Sequence, residues 1–157
     1  MTLRPHQAEA VDAVLRNLSE RPGTVVPPEG LRTQVIAAAG SGKTLIGVEA
    51  ANRLSARRVP VLVPTLDLML RSAAAWRAGG RQGAMTGVCS LRAADGQGLP
   101  CTTDPDDLIA WTEGPETVTV FATYASVGMG TRDPALWPAG AGGHASTRVH
   151  AARHRLR

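Results

Sequence analysis

The spacing of apolar residues along the chain predicts helices and strands in alternation. Apolar residues at helical spacing predict a helix that starts near Pro5, and later helices at about 43–55, 65–78 and 105–113. Short apolar or β-branched runs between them predict strands at about 33–38, 59–63, 84–89 and 117–122. This alternation predicts an α/β fold with a mostly parallel sheet and flanking helices.

The last of the predicted helices has a clear start signal. Asp104 is a suitable N-cap, and Pro105 fits the first helical position. Leu108, Ile109 and Trp111 follow at helical spacing, so we expect these three side chains on the inner face of the helix.

A loop of small residues joins the predicted strand at 33–38 to the helix that follows it. From residue 37 to 44 its sequence is Ala-Ala-Ala-Gly-Ser-Gly-Lys-Thr. Strand, small-residue loop and helix in this order are the context of a phosphate-binding loop, whose backbone N–H groups surround an anion. Such a loop would bind ATP through its backbone and Lys43, while the Thr44 hydroxyl would bind Mg²⁺. The candidate nucleotide-binding residues of the loop are Ala39, Gly40, Ser41, Gly42, Lys43 and Thr44.

An ordinary glycine-rich turn before a helix is the alternative explanation of this loop. The general pattern has glycine where this chain has Ala37, which is still a small residue. The chain has 17 lysines and arginines in total, and Lys43 is the single lysine. A compact ammonium group suits a phosphate site better than a broad guanidinium group. The use of lysine at this one position therefore favours phosphate binding.

The composition limits the class of protein to which the chain can belong. Its 157 residues suit one domain, and no apolar run approaches the ~20 residues that span a membrane. The N-terminus lacks the apolar core of a signal peptide, so we expect a cytoplasmic protein. Cys89 and Cys101 have neither the Cys-x-x-Cys spacing nor a nearby histidine pair, which disfavours a metal site. Cys89 lies in an apolar stretch and is expected to be a buried free thiol.

The net charge of +4 is confined to the C-terminal part of the chain. Residues 1–130 contain 12 basic and 12 acidic residues, whereas residues 131–157 contain five arginines and one aspartate. The first part therefore has no net basic field, and any nucleic-acid contact there depends on local placement. In residues 131–157, Ala, Gly, Arg, His and Pro account for 19 of the 27 residues, and this composition predicts disorder.

Four segments, taken in order, resemble the first RecA-like domain of superfamily 2 helicases. The closest resemblance is to the DEAD/DEAH-box group with its UvrB-like and type III restriction-enzyme helicase domains. The segments are Leu3-Arg4-Pro5-His6-Gln7, residues 37–44, Val61-Leu62-Val63-Pro64-Thr65, and Phe121-Ala122-Thr123-Tyr124-Ala125-Ser126. The resemblance covers most of residues 1–130. It implies a partial RecA-like domain with a P-loop NTPase fold, ATP and Mg²⁺ as ligands, and a nucleic-acid partner, DNA more than RNA.

The resemblance also implies roles for residues outside the loop. Gln7 would bind the edge of adenine, since an amide group both donates and accepts hydrogen bonds. Pro64 and Thr65 would contact the nucleic-acid backbone, as would Thr123 and Tyr124. The residue types leave alternatives open, because Gln7 could equally be a surface residue early in a helix. The hydroxyl groups could equally be helix caps.

No Asp-Glu dipeptide occurs in the 157 residues. In the resembling family an apolar strand ends in Asp-Glu, where the Asp holds Mg²⁺ and the Glu orients the attacking water. Asp67 follows Pro64 and is expected in the first turn of a helix, whereas Asp106 and Asp107 follow no apolar strand. We therefore assign no catalytic residue. The resemblance also implies a second RecA-like domain, which supplies an arginine finger in this family and which we do not expect within the 157 residues.

Residues 131–157 take the place in which the resembling family has its Asp-Glu segment. One hypothesis is that a frameshift or truncation replaced the true continuation of the chain. The alternatives are a basic tail that binds nucleic acid and a histidine-rich metal tract, although the histidine spacing fits no standard metal site.

The sequence thus predicts the N-terminal portion of an ATP-dependent DNA helicase or translocase. Residues 1–130 would form part of the first RecA-like domain, and residues 131–157 would form a basic tail. This portion alone is expected to lack significant catalysis. The alternatives are a nucleotide- or DNA-binding module without hydrolysis and a non-functional remnant whose sheet has unpaired edges.

Overall fold

The fold consists of a parallel sheet with helices packed around it. The computed structural model describes residues 2–19, 23, 25–28, 30–91 and 98–128. Within these ranges the helices are α1 (Pro5–Leu18), α2 (Lys43–Arg53), α3 (Leu66–Ala78), α4 (Pro105–Glu113) and α5 (Tyr124–Gly128). The strands are β1 (Arg58–Val63), β2 (Ala84–Val88), β3 (Cys101–Thr102) and β4 (Val118–Thr123). The predicted α/β class with a parallel sheet is confirmed.

The four strands lie in the order β1-β4-β2-β3, and every pair is parallel. β1 pairs with β4 along its whole length, from Arg58 opposite Val118 to Val63 opposite Thr123. Because all strands run in the same direction, their carboxyl ends meet at one edge of the sheet, which is where open α/β sheets bind ligands. Thr65 follows the end of β1 at this edge.

The core lies between the sheet and α3. Trp76 of α3 is 1% exposed and Phe121 of β4 is fully buried. Their rings meet edge to face, with centroids 5.9 Å apart and an interplanar angle of 89°. Such a ring pair adds about 0.5–1.5 kcal/mol beyond the burial of apolar area. Met69, also on α3, belongs to the same buried cluster. α3 therefore packs against this face of the sheet.

A second layer of packing places α1 beside the helix that follows the loop. α1 contacts α2, and α2 in turn contacts α3. Val11 and Val14 of α1 and Val48 of α2 are buried. The helix predicted to start near Pro5 is therefore confirmed as α1. In the described part of the chain, no helix is both long and apolar enough to cross a membrane.

The predicted strand at 33–38 is wrong. Residues 30–38 have no regular secondary structure, and the side chain of Ile36 is 87% exposed. In the described sheet β1 is an end strand that pairs with β4 alone, so no strand runs beside this segment. An apolar run becomes a strand only where a neighbouring backbone offers hydrogen bonds, and that neighbour is missing from the described sheet.

The predicted inner face of the helix after Asp104 is also wrong. Leu108 is half-buried, while Ile109 and Trp111 are 50% and 36% exposed. α4 packs against β2 and β3, and β3 contains only two residues. The sheet is therefore too narrow at this end to cover the apolar residues of α4. β3 itself was not predicted, and the predicted disorder of residues 131–157 lies outside the described residues.

Candidate nucleotide and nucleic-acid site

Two glycines shape the loop between residues 37 and 44. Gly40 has a φ of +76° and Gly42 a φ of +83°, both in the left-handed region that favours glycine. Gly42 is also the N-cap of α2, and its carbonyl oxygen accepts the Ile46 N–H at 3.2 Å. The backbone thus turns sharply and enters α2 within a few residues, as a phosphate-binding loop requires.

The ammonium group of Lys43 lies across this loop. Its Nζ donates hydrogen bonds to the carbonyl oxygens of Ala37 at 3.0 Å and Ala38 at 2.9 Å. Lys43 therefore links the two sides of the loop from the first turn of α2. An anion that enters the loop would offer this ammonium group stronger, charged acceptors than the two carbonyl oxygens.

The loop contains groups that fit a triphosphate and its metal ion. The hydroxyl oxygen of Ser41 is buried and has no hydrogen-bond partner among the described residues, which costs about 1–3 kcal/mol unless a ligand pairs with it. The first N–H groups of α2 have no acceptors within the helix, and its N-terminus carries a partial positive charge. Thr44 lies half-buried in this first turn, where its hydroxyl is a suitable Mg²⁺ ligand.

Gln7 connects α1 to the loop. It is 5% exposed, and its Nε2 donates a hydrogen bond to the Ser41 carbonyl oxygen at 2.9 Å. Its Oε1 accepts the N–H of Arg4 at 2.9 Å, and His6 Nε2 lies 3.3 Å from the same Ser41 oxygen. The alternative of a surface glutamine is therefore wrong. The role at the adenine edge stays a prediction.

The residues predicted to contact nucleic acid lie at or just beyond the paired ends of β1 and β4. Pro64 and Thr65 are exposed, and the Thr65 hydroxyl accepts the Leu68 N–H at 3.3 Å as the N-cap of α3. Thr123 is only 5% exposed, and Tyr124 beside it is 38% exposed. The strands place these four residues at one edge of the sheet, but they differ in accessibility.

Helix capping uses both threonine hydroxyls of this edge. Thr123 Oγ1 accepts the Ser126 N–H at 3.1 Å and lies 2.8 Å from the Ser126 hydroxyl. It is therefore turned into the first turn of α5, which supports the structural alternative for Thr123. The exposed hydroxyl of Thr65 caps its helix and still faces solvent.

The carboxylate of Asp67 and two arginines of α3 have local structural partners. Asp67 lies in the first turn of α3 as predicted, and its carboxylate is 3.0 Å from Arg71 Nε. Arg77 donates to the Gly98 carbonyl oxygen at 3.2 Å. Asp106 and Asp107 lie in the first turn of α4. None of these carboxylates follows directly on a strand of the sheet.

Comparison with known proteins assigns the family. The family model described as "Type III restriction enzyme, res subunit" matches residues 1–94, which is more than half of the chain. The chain belongs to this family. The match confirms the predicted resemblance to superfamily 2 helicases of the type III restriction group. A comparison with curated proteins finds no significant match.

A solved structure supports the same fold. It is that of a nuclease-deletion mutant of the Type ISP restriction-modification enzyme LlaGI in complex with a DNA substrate mimic. It superposes with a TM-score of 0.65 at 23% sequence identity, over 81% of this chain and 13% of the LlaGI chain. The res-subunit chain thus spans about one eighth of that enzyme, and at this identity the likeness shows the fold alone.

One buried residue of this res-subunit domain was not foreseen from its sequence. Arg81 is 7% exposed, and its guanidinium donates to the Ala56 carbonyl oxygen, to Thr119 Oγ1 at 3.3 Å and to Asn52 Oδ1 at 3.4 Å. Burial lowers the pKa of Arg81 below its usual value. In the sequence, an arginine after Gly79-Gly80 gives no signal of burial, because charged residues are almost always exposed.

Proposed function

We propose that this chain binds ATP with Mg²⁺ and forms the ATP-binding part of a DNA helicase or translocase. The observation that carries the proposal is the position of Lys43. Its ammonium group donates hydrogen bonds to two carbonyl oxygens of the loop. Lys43 follows Gly42, whose backbone is left-handed, and is the first residue of α2. Membership of the res-subunit family supports the same function.

The roles of the residues follow from their chemistry. The N–H groups from Ala39 to Thr44 would surround the phosphates, and Lys43 would neutralise the β- and γ-phosphates. The Thr44 hydroxyl would hold Mg²⁺. The orphaned Ser41 hydroxyl would gain its missing partner from the ligand.

Gln7 is proposed to have two tasks at the nucleotide. Its Nε2 carries a second N–H group besides the one that binds the Ser41 carbonyl. That second donor would remain for adenine, while the first keeps the loop in place. Adenine recognition and loop position would then depend on the same side chain.

The nucleic-acid contacts are proposed to lie at the carboxyl edge of the sheet. Thr65 and Pro64 are exposed there, and Tyr124 is partly exposed. A hydroxyl and N–H groups at the start of α3 would bind phosphate without reading sequence. Thr123 would act indirectly, by shaping α5. We favour DNA over RNA because the LlaGI structure contains a DNA substrate mimic.

Nucleotide binding without hydrolysis is the second candidate function. It is favoured by one observation, namely that the 157 residues contain no Asp-Glu dipeptide. Hydrolysis would require an acidic pair and a second RecA-like domain with its arginine finger. We propose that this chain works together with such a domain, and that without it ATP binds but turns over slowly.

Two measurements on the full chain test these proposals. Titration with ATP is expected to show binding that weakens when EDTA removes Mg²⁺ and that loses this Mg²⁺ dependence in Thr44→Val. Phosphate release is then measured with and without single-stranded DNA. Steady release stimulated by DNA would contradict the non-hydrolysing candidate, and no ATP binding at all would contradict both.

A further inference from the structure

Two cysteines that are twelve positions apart in sequence lie on neighbouring strands at the end of the sheet. Cys101 opens β3 and pairs with Gly87 of β2. Cys89 follows β2 directly, and its N–H donates to the Thr102 carbonyl oxygen at 3.2 Å. The parallel pairing of β2 with β3 therefore places the two cysteines on neighbouring strands, with Cys89 two positions beyond the residue opposite Cys101.

The missing side chain of Gly87 makes room for this approach. A Cβ atom at Gly87 would lie 2.6 Å from Cys101 Sγ, so the sulfur occupies the space that a side chain would fill. Cys89 is two positions beyond Gly87 and is therefore expected on the same face of the strand. Cys89 belongs to the buried cluster that contains Met69, and Cys101 packs against that cluster.

The two thiols differ in their access to solvent. Cys89 is 2% exposed, whereas Cys101 is partly exposed and its Sγ donates to the Leu99 carbonyl oxygen at 3.4 Å. Burial, followed by the hydrogen bond and the charge of Cys89, raises the pKa of Cys101 to about 12. In the described ranges no third histidine, cysteine or carboxylate completes a metal site with them.

We propose that Cys89 and Cys101 form an oxidation site, at which a two-electron oxidant converts the dithiol into an intrachain disulfide. The partly exposed Cys101 reacts first. With an azo compound such as diamide, its thiolate adds to one nitrogen of the N=N bond and the other nitrogen takes up a proton. The Cys89 sulfur then attacks the Cys101 sulfur, and the S–S bond forms as the S–N bond breaks. The two thiol hydrogens and two electrons end on the hydrazine.

The disulfide would fasten β3 to β2. It would close a loop of 13 residues from Cys89 to Cys101 and so restrict the unfolded chain. A loop of this length predicts a rise in Tm of about 5–10 °C for a chain of this size. β3 is a two-residue strand at the end of the sheet. Of the four described strands it should therefore be stabilised most by such a link.

The rate of oxidation is expected to depend steeply on pH. For a thiol whose pKa is about 12, the thiolate fraction rises about 100-fold between about pH 7.5 and 9.5, whereas an ordinary exposed thiol gains only about 10-fold. Among the charged groups on the elements around the pair, Arg77 binds Gly98 O and Asp107 binds Thr102 Oγ1. Both have partners other than the two thiols, so the steep dependence is assigned to Cys101.

The full chain is treated with diamide, and the masses of the intact chain and of its peptides are then measured without reductant. The expected product is a monomer that is lighter by about 2 Da, with a Cys89–Cys101 peptide that dithiothreitol separates again. Cys89→Ala and Cys101→Ala must each lose the product. A disulfide-linked dimer, or two thiols that are alkylated independently after diamide treatment, would overturn the proposal. A rate that rises only about 10-fold over the same pH range would overturn the assigned order of attack.

Discussion

The side-chain amide of Gln7 donates a 2.9 Å hydrogen bond to the carbonyl oxygen of Ser41, and so joins the start of α1 to the loop at residues 37–44. The same side chain accepts the N–H of Arg4 at 2.9 Å. Gln7 is almost fully buried, so water cannot replace either bond easily. The shape of the loop therefore depends on a residue that is 34 positions away in sequence.

Replacement of this amide is expected to affect both folding and nucleotide binding. Gln7→Ala leaves the Arg4 N–H and the Ser41 carbonyl without their partner, and should lower the free energy of unfolding by about 1–2 kcal/mol. Nucleotide affinity should fall several-fold because the loop loses its support. The matched control is Asn17→Ala, since Asn17 also donates a side-chain amide to a carbonyl but is exposed. Equal stability losses in the two variants would contradict the prediction.

The two glycines of the loop are expected to respond differently to alanine. Both have left-handed φ values, so each substitution costs about 1–2 kcal/mol of backbone strain. A Cβ atom at Gly42 would lie only 2.4 Å from Gln7 Nε2, whereas one at Gly40 has no neighbour within 4 Å. Gly42→Ala should therefore weaken nucleotide binding and stability more than Gly40→Ala does. This difference between the two variants should become smaller in a Gln7→Ala background. An unchanged difference in this double-mutant cycle would show that the close contact between the new Cβ atom and Gln7 does not cause it.

Arg81 is expected to be a strong stability determinant far from the loop. Arg81→Met leaves the Ala56 carbonyl, Thr119 Oγ1 and Asn52 Oδ1 without their donor in a buried place. Chemical denaturation should show a loss of about 2–4 kcal/mol. Arg71→Met, which removes an exposed ion pair with Asp67, should cost less than about 0.5 kcal/mol. A loss below 1 kcal/mol for Arg81→Met would mean that water satisfies these acceptors.

Thr65 is expected to separate helix capping from nucleic-acid binding. Thr65→Ala removes the N-cap of α3 and should lower the free energy of unfolding by about 1 kcal/mol. The same substitution should also weaken the binding of single-stranded DNA. Thr65→Ser keeps the hydroxyl and should restore both. Asp104→Ala is the control, because it removes the N-cap of α4 without touching the proposed DNA contact. Equal loss of DNA affinity in both alanine variants would assign the effect to folding alone.

Local signals in the sequence were sufficient for most of the fold. Helical spacing, Pro5 at a first turn and Thr65 as a cap each act within a few residues, and α1 and α3 follow them. The strand predicted at 33–38 failed because a strand also depends on a neighbour, which sequence spacing does not reveal. The exposed face of α4 failed for a similar reason, since the width of the sheet decides what a helix covers.

The candidate site was predictable only in part. The loop residues were predicted because such a backbone requires consecutive small residues and one lysine, and this requirement is visible in the local sequence. The burial of Gln7 and the buried bonds of Arg81 were not, since each depends on a contact between separate elements. Such contacts leave no periodic pattern in one sequence.

The most direct test of the account is the ATP affinity of Lys43→Ala, measured by titration of the full chain in the presence of Mg²⁺. Loss of the only ammonium side chain in the loop should weaken binding by about 10- to 100-fold, because charge-assisted bonds to phosphate are worth about 1.5–3 kcal/mol. Arg16→Ala, which removes an exposed cation from the last turn of α1, should leave the affinity unchanged. Equal affinities for the wild-type chain and Lys43→Ala would contradict the account.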